Sequence, residues 1–113
     1  MPDRYASYEE FWPFYVSQHS HPATRKLHFL GTALVWVALA AGVFLSPTWL
    51  VAAPLAGYGF AWVGHFAFER NRPATFEYPL WSLRADFRMF RLMLFGLMEP
   101  ELERAARMFP AKG

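Results

Sequence analysis

No charged side chain occurs between Lys26 and Glu69, and this neutral stretch carries two apolar runs, Leu27 to Leu45 and Trp49 to Phe68, separated by Ser46-Pro47-Thr48. A helix of about 20 apolar residues crosses the roughly 30 Å hydrocarbon layer of a bilayer, and a helix satisfies its own backbone hydrogen bonds on the way. The pattern therefore predicts an all-α fold: an integral membrane helical hairpin with spanning helices over 22–45 and 49–70 and with flanking interfacial amphipathic helices. Two antiparallel crossings return the chain to the face it left. His28 and His65 are thus expected at matching depth on that face.

A length of 113 residues fits one domain, 1–113, and 55% hydrophobic content is high for a water-soluble chain of this size. The mean hydropathy of +0.11 averages a greasy middle against two charged ends. The segment before the first apolar run is charged and aromatic and lacks an Ala-x-Ala-like cleavage site, so it does not resemble a secretory signal and the whole chain is expected to be mature. Arg4, Arg25 and Lys26 precede the hairpin, Arg70, Arg72, Arg84, Arg88 and Arg91 follow it, and the hinge has no basic residue. By the positive-inside rule both termini are expected in the cytoplasm. The formal net charge of +2 is small. Contacts of the arginines with membrane lipid headgroups account for them, and no nucleic-acid partner is called for. Cysteine is absent, which excludes disulfides, thiolate catalysis, iron–sulfur clusters and Cys-ligated zinc.

Ser7 and Glu10 have capping-box spacing at the start of a helix over 7–18, and Phe11, Trp12, Phe14 and Tyr15 give that helix the aromatic character of the membrane interface. Ser20-His21-Pro22 breaks it, with Pro22 suited to the first turn of the next helix. In the second spanning helix Gly57, Gly59 and Gly64, with Ala53, Ala56 and Ala61, allow close approach of a neighbour, and Asn71-Arg72-Pro73 ends it. Over 80–98, Leu83, Phe87, Phe90 and Leu94 recur at helical spacing beside a stripe of Arg84, Arg88 and Arg91, the mark of an amphipathic helix. A short charged helix over 100–109 is expected to be the most solvated element. Two spans rarely bury themselves fully, so a homodimer or higher oligomer is expected.

All four histidines fall near the cytoplasmic end of the hairpin. Imidazole ligates iron, zinc and copper, and its burial at a lipid boundary costs free energy unless the ring is hydrogen-bonded or coordinated. His28 by itself fits either an interfacial ring bonded to backbone or a ligand. His65 and Glu69, at i and i+4, share a helix face, which suits a simple pair and equally a carboxylate that orients a ligating ring. His21, before Pro22, reads best as a solvated or capping residue. The spacing of His19 decides nothing, although the helix break lets it fold back toward His28. Arg25, Lys26, Arg70 and Arg72 ring the same face and suit either phosphate contacts or a substrate carboxylate beside a metal.

The segment Tyr15-Val16-Ser17-Gln18-His19-Ser20-His21-Pro22 followed by Leu27-His28, and then Gly64-His65-Phe66-Ala67-Phe68-Glu69 followed by Arg72-Pro73-Ala74, resembles the 2-hydroxy fatty acid dioxygenase family, whose fungal members act in fatty-acid α-oxidation. The family's H-x-x-P falls on His19 and Pro22, the histidine six residues after that proline on His28, and G-H-x-x-x-E on Gly64, His65 and Glu69. His21 falls where the family accepts other residues. The resemblance implies an Fe(2+)-dependent enzyme that uses O₂ to convert a long-chain 2-hydroxy fatty acid to the acid one carbon shorter. It also implies His19, His28 and His65 as metal ligands with Glu69 beside them. This chain departs from the fungal members in its three-residue hinge, where they carry more hydrophobic sequence. A 2-hydroxy acid can chelate iron through carboxylate and hydroxyl, with its tail in the groove between the hairpin and the Leu83/Phe87/Phe90 face. Two rival readings of the histidines are a haem-b protein with His28 and His65 as axial ligands, and a non-catalytic membrane organiser.

Overall fold

The computed structural model describes residues 5–110, so Arg4 of the topology argument lies outside the described residues. The long helix α2 spans Pro22–Phe44. After a tight hinge, a 3₁₀ turn over Pro47–Val51, capped by Ser46, runs into α3, Ala52–Val63, which continues into a π-helical turn over Gly64–Glu69. Pro22–Phe44 and Pro47–Glu69 are each 23 residues, about 35 Å of helix, and both are long and apolar enough to cross a membrane. Only 28% and 22% of their most apolar windows are buried. Val43, Phe44, Leu45, Val51, Leu55 and Val63 instead face outward, as lipid-contacting residues would.

The two long helices approach each other backbone to backbone. A Cβ at Gly31 would lie 3.0 Å from the Ala56 carbonyl oxygen and 3.0 Å from the Phe60 Cβ, and one at Gly64 would lie 3.0 Å from the Thr24 side chain. Gly57 meets Val35 in the same way, whereas Gly59 faces open space. The small-residue seam is therefore Gly57 of α3 and Gly64 at the start of the π turn, and Gly31 of α2 supplies its counterpart.

A second body caps one end of the hairpin. It comprises α1 (Tyr8–Ser17), α4 (Pro79–Leu94) and α5 (Glu99–Met108). The Ser7 hydroxyl accepts the Glu10 N–H at 3.2 Å, while the Glu10 carboxylate accepts from Ala6 N, one residue before the usual capping-box donor. The aromatic residues of α1, expected at the interface, are drawn into a protein core. Phe11, Trp12 and Tyr15 pack with Ala85 and Met89 of α4, and with Met98 and Ala105. Arg84 and Arg88 lie over the Tyr8 and Trp12 rings at 3.9 and 4.1 Å, so part of the arginine stripe is a cation–π contact with α1. The charged helix α5 docks on this core as well: the Trp12 indole N–H donates to Glu101 at 2.7 Å.

On its other side α4 stacks Phe90 on Phe29 and sets Phe87 edge-on to Trp36, joining the cap to α2. It ends at Leu94 rather than at residue 98. Gly96 takes φ +71°, its N–H bonds the Met93 carbonyl, and the Leu97 N–H bonds the Leu92 carbonyl at 2.7 Å. That pair of bonds is a Schellman stop, which requires a left-handed residue that glycine adopts without strain.

Candidate metal centre

Three elements deliver one histidine each. His19 follows the last turn of α1, held by its N–H to the Val16 carbonyl. His28 sits in the second turn of α2, whose start is fixed by Pro22 and by His21, whose Nδ1 accepts the Ala23 N–H at 3.0 Å. His65 lies in the π turn at the end of α3. A π turn carries one extra residue and changes the facing of the side chains within it, a feature common at functional sites. The residue that caps it, Arg70, has φ +58°, a left-handed conformation uncommon outside glycine that turns the chain back so that Asn71 reaches His65.

All three rings are buried, and their Nε2 atoms face one another: His19 to His28 at 3.1 Å and His28 to His65 at 3.3 Å, all within 4.8 Å. Each Nδ1 faces an oxygen. That of His19 lies 2.6 Å from the Tyr15 carbonyl, that of His65 lies 2.7 Å from Asn71 Oδ1, and that of His28 lies 3.6 Å from the Asp86 carboxylate. The Asn71 amide is oriented by its NH₂, which donates to the Gln18 backbone and side-chain oxygens at 3.0 Å each. The acceptors at 2.6 and 2.7 Å place protons on Nδ1 of His19 and His65 and free their Nε2 lone pairs toward His28, an arrangement a cation between the rings stabilises. Metal–nitrogen bonds of about 2.0–2.1 Å at tetrahedral or octahedral angles separate adjacent nitrogens by roughly 2.9–3.4 Å. The donor set fits a metal ion.

Burial, reinforced by His28 and His65, holds His19 well below the ordinary imidazole range, so it stays neutral and able to ligate. Asp86 receives a short hydrogen bond from the Tyr15 hydroxyl. Burial pushes its carboxyl up to about 7 against the opposing pull of that bond, and burial with the Asp86 charge raises the Tyr15 phenol well above its usual value.

The sequence-derived candidates fall into distinct places. His21 caps α2 with its ring on Phe68, outside the cluster. Glu69 does not orient His65: its carboxylate accepts from the Ser20 hydroxyl at 3.0 Å and from the His21 backbone N–H, tying the α1–α2 link to the end of the hairpin. Residues i and i+4 share a face in an α-helical turn, and the π turn over Gly64–Glu69 changes that phase. Asn71 occupies the expected place beside His65. Arg25 donates to the His19 and Ser20 carbonyls at 2.8 Å each, and Arg72 covers the Phe76 ring at 5.0 Å. Lys26, Arg70 and Arg72 are exposed, and none of the four basic residues lines the cavity at the histidines. Asp86 and Asn71 were missed. Asp86 is the lone carboxylate among the arginines of α4, and that isolation was the available signal.

A cavity of about 20 Å³ adjoins the histidines and is walled also by Tyr15, Tyr58, Ser82 and Asp86. A larger, mainly apolar groove of about 230 Å³ starts at His28, Tyr58 and Asp86 and runs between the hairpin and α4 past Thr32, Val35, Gly57, Leu83 and Phe87. The family model described as 2-hydroxy-palmitic acid dioxygenase Mpo1-like matches residues 5–98, which cover the hairpin, the three histidines and α4. The chain belongs to the Mpo1-like family. No curated protein and no solved structure matches the chain. In this Mpo1-like chain the matched region thus includes the histidine centre, its oxygen partners at Tyr15, Asn71 and Asp86, and the groove beside it.

Proposed function

We propose that this protein is an Fe(II)-dependent dioxygenase that shortens 2-hydroxy fatty acids by one carbon at a membrane. The observation that carries the reading is the convergence of three Nε2 atoms at 3.1 and 3.3 Å at the mouth of an apolar groove, in a member of a family described as 2-hydroxy-palmitic acid dioxygenase Mpo1-like. His19, His28 and His65 would hold the ion. Fe(II) bound by three imidazoles keeps coordination positions open and supplies the redox chemistry with O₂.

The residues of the chain bind and orient. From His28 to Val35 the groove wall extends seven residues along α2, about 10 Å, long enough to hold about eight methylenes before the tail reaches the outward face of the hairpin. Burial of that tail fixes the C1–C2 bond beside the histidines, and the cap of α1 and α4 excludes water. Lys26, Arg70 and Arg72, exposed at the ends of the two long helices that carry His28 and His65, would supply positive potential that draws a carboxylate toward the site, and Glu69 acts as a positioning residue that anchors the link carrying His19. Both termini lie on the cytoplasmic side in this reading.

The geometry favours a single ion over a haem. Axial nitrogens on opposite faces of haem iron are separated by roughly 4 Å, twice a metal–nitrogen bond of ~2.0 Å. His28 and His65 are closer, a third ring faces them, and the adjoining cavity is about 20 Å³. Purified, iron-loaded protein incubated with 2-hydroxypalmitate or palmitate, with and without oxygen, tests the function. The acid one carbon shorter should form only from the hydroxylated substrate and only with oxygen. A Soret band, or no turnover across a range of chain lengths, would overturn it.

A further inference from the structure

Ser82 is 3% exposed, and its hydroxyl has no hydrogen-bond partner. An unpaired buried hydroxyl is uncommon in a folded protein and destabilising unless something meets it. Here it stands on the wall of the cavity at the histidines, which His28 and Asp86 also line. The cavity, about 20 Å³, exceeds the roughly 10–15 Å³ that one water-sized atom requires. It shares His28, Tyr58 and Asp86 with the apolar groove, so a molecule whose chain fills the groove can set one compact polar atom in this cavity.

We propose that Ser82 is the specificity-determining residue for the 2-hydroxyl group, binding that oxygen while the chain occupies the groove. This inference rests on the function proposed above. A hydroxylated acid pairs the Ser82 hydroxyl, whereas an unsubstituted acid of the same length leaves it buried and unpaired. Sites built to bind a substrate hydroxyl reject the analogue lacking it far more strongly than apolar pockets discriminate by size. Tyr58 and Thr75 also line the cavity, but both are partly exposed, so neither is enclosed there as Ser82 is.

The test is binding without turnover. Titrate the full-length, Fe(II)-loaded protein in detergent under anaerobic conditions with 2-hydroxypalmitate and with palmitate, for wild type and Ser82→Ala. Wild type should prefer the hydroxy acid by about tenfold or more, the cost of stranding one buried hydroxyl. Ser82→Ala should hold iron as wild type does and bind palmitate at least as well. It should also lose most of the preference. A wild type without preference would sink the functional reading itself. A wild-type preference that persists in Ser82→Ala would overturn the role of Ser82 alone, as would a Ser82→Ala protein that no longer holds iron, which would make Ser82 part of the scaffold.

Discussion

At the residue scale the centre is defined by two layers of contacts, the Nε2 atoms inward and the Nδ1 atoms outward. Replacing His19, His28 or His65 by Ala removes an inward lone pair, and each variant should lose most of its bound metal in elemental analysis. His21→Ala should keep it, since His21 only caps α2. Asn71→Ala and Asp86→Ala remove outward partners of His65 and His28, and such losses typically cost ~10–100-fold in metal affinity, readable in a chelator competition titration. Glu69→Gln should weaken binding less than Asn71→Ala, because Glu69 touches the α1–α2 link rather than a ring. Acid should act on the same atoms. The folded metal-free chain holds His19 well below 6.5, whereas the unfolded chain takes up a proton there near 6.5. Stability of the metal-free protein should therefore decline as pH falls below about 6.5, and protons should compete with metal for Nε2 in the same window. Thermal unfolding and metal retention from pH 8 to 5 check both. Asp86, its carboxyl raised to about 7, takes up a proton in the same window and pulls the other way, so the decline should steepen in Asp86→Asn; a decline absent from that variant would refute the neutral, buried His19.

At the element scale the site depends on the register between α2 and α3. Gly31 fits against the Ala56 carbonyl and Phe60, and backbone cannot yield as a flexible side chain can. Gly31→Leu should force the helices apart, shift His28 against His65, and lower both metal content and the unfolding temperature. Gly59 faces open space, so Gly59→Ala should leave metal content unchanged. Equal damage from the two substitutions would mean that the seam is not where Gly31 places it. The apolar pattern of each helix was legible from spacing alone. Two things were not. The end of α4 turns on the single left-handed Gly96, and the facing of His65 turns on a π turn that composition does not signal.

At the scale of the whole molecule, the outward apolar surface of the hairpin suits membrane association, and the compact cap gathers the three histidines at one end of it. The native sequence contains no cysteine, which makes single-cysteine labelling clean. Ser46→Cys at the hinge and Ser20→Cys beside the cap should react with a membrane-impermeant maleimide from opposite sides of oriented vesicles. Labelling of both from one side would rule out two spans.

The sequence by itself determined the helical hairpin, the break between its helices near Ser46-Pro47 and the gathering of histidines at one end, because these follow from local hydropathy, helix period and the distribution of charge. It also carried the family resemblance that singled out His19, His28 and His65. Only the tertiary structure decided that the Nε2 atoms meet, that Asn71 rather than Glu69 stands beside His65, and that Asp86, Tyr15 and Ser82 complete the walls. It also decided that the α1 aromatics build a core with α4 and α5. The physical reason is the same in each case. Those contacts join residues far apart in the chain, and their geometry depends on helix phase and on close backbone packing, neither of which is a property of any one segment.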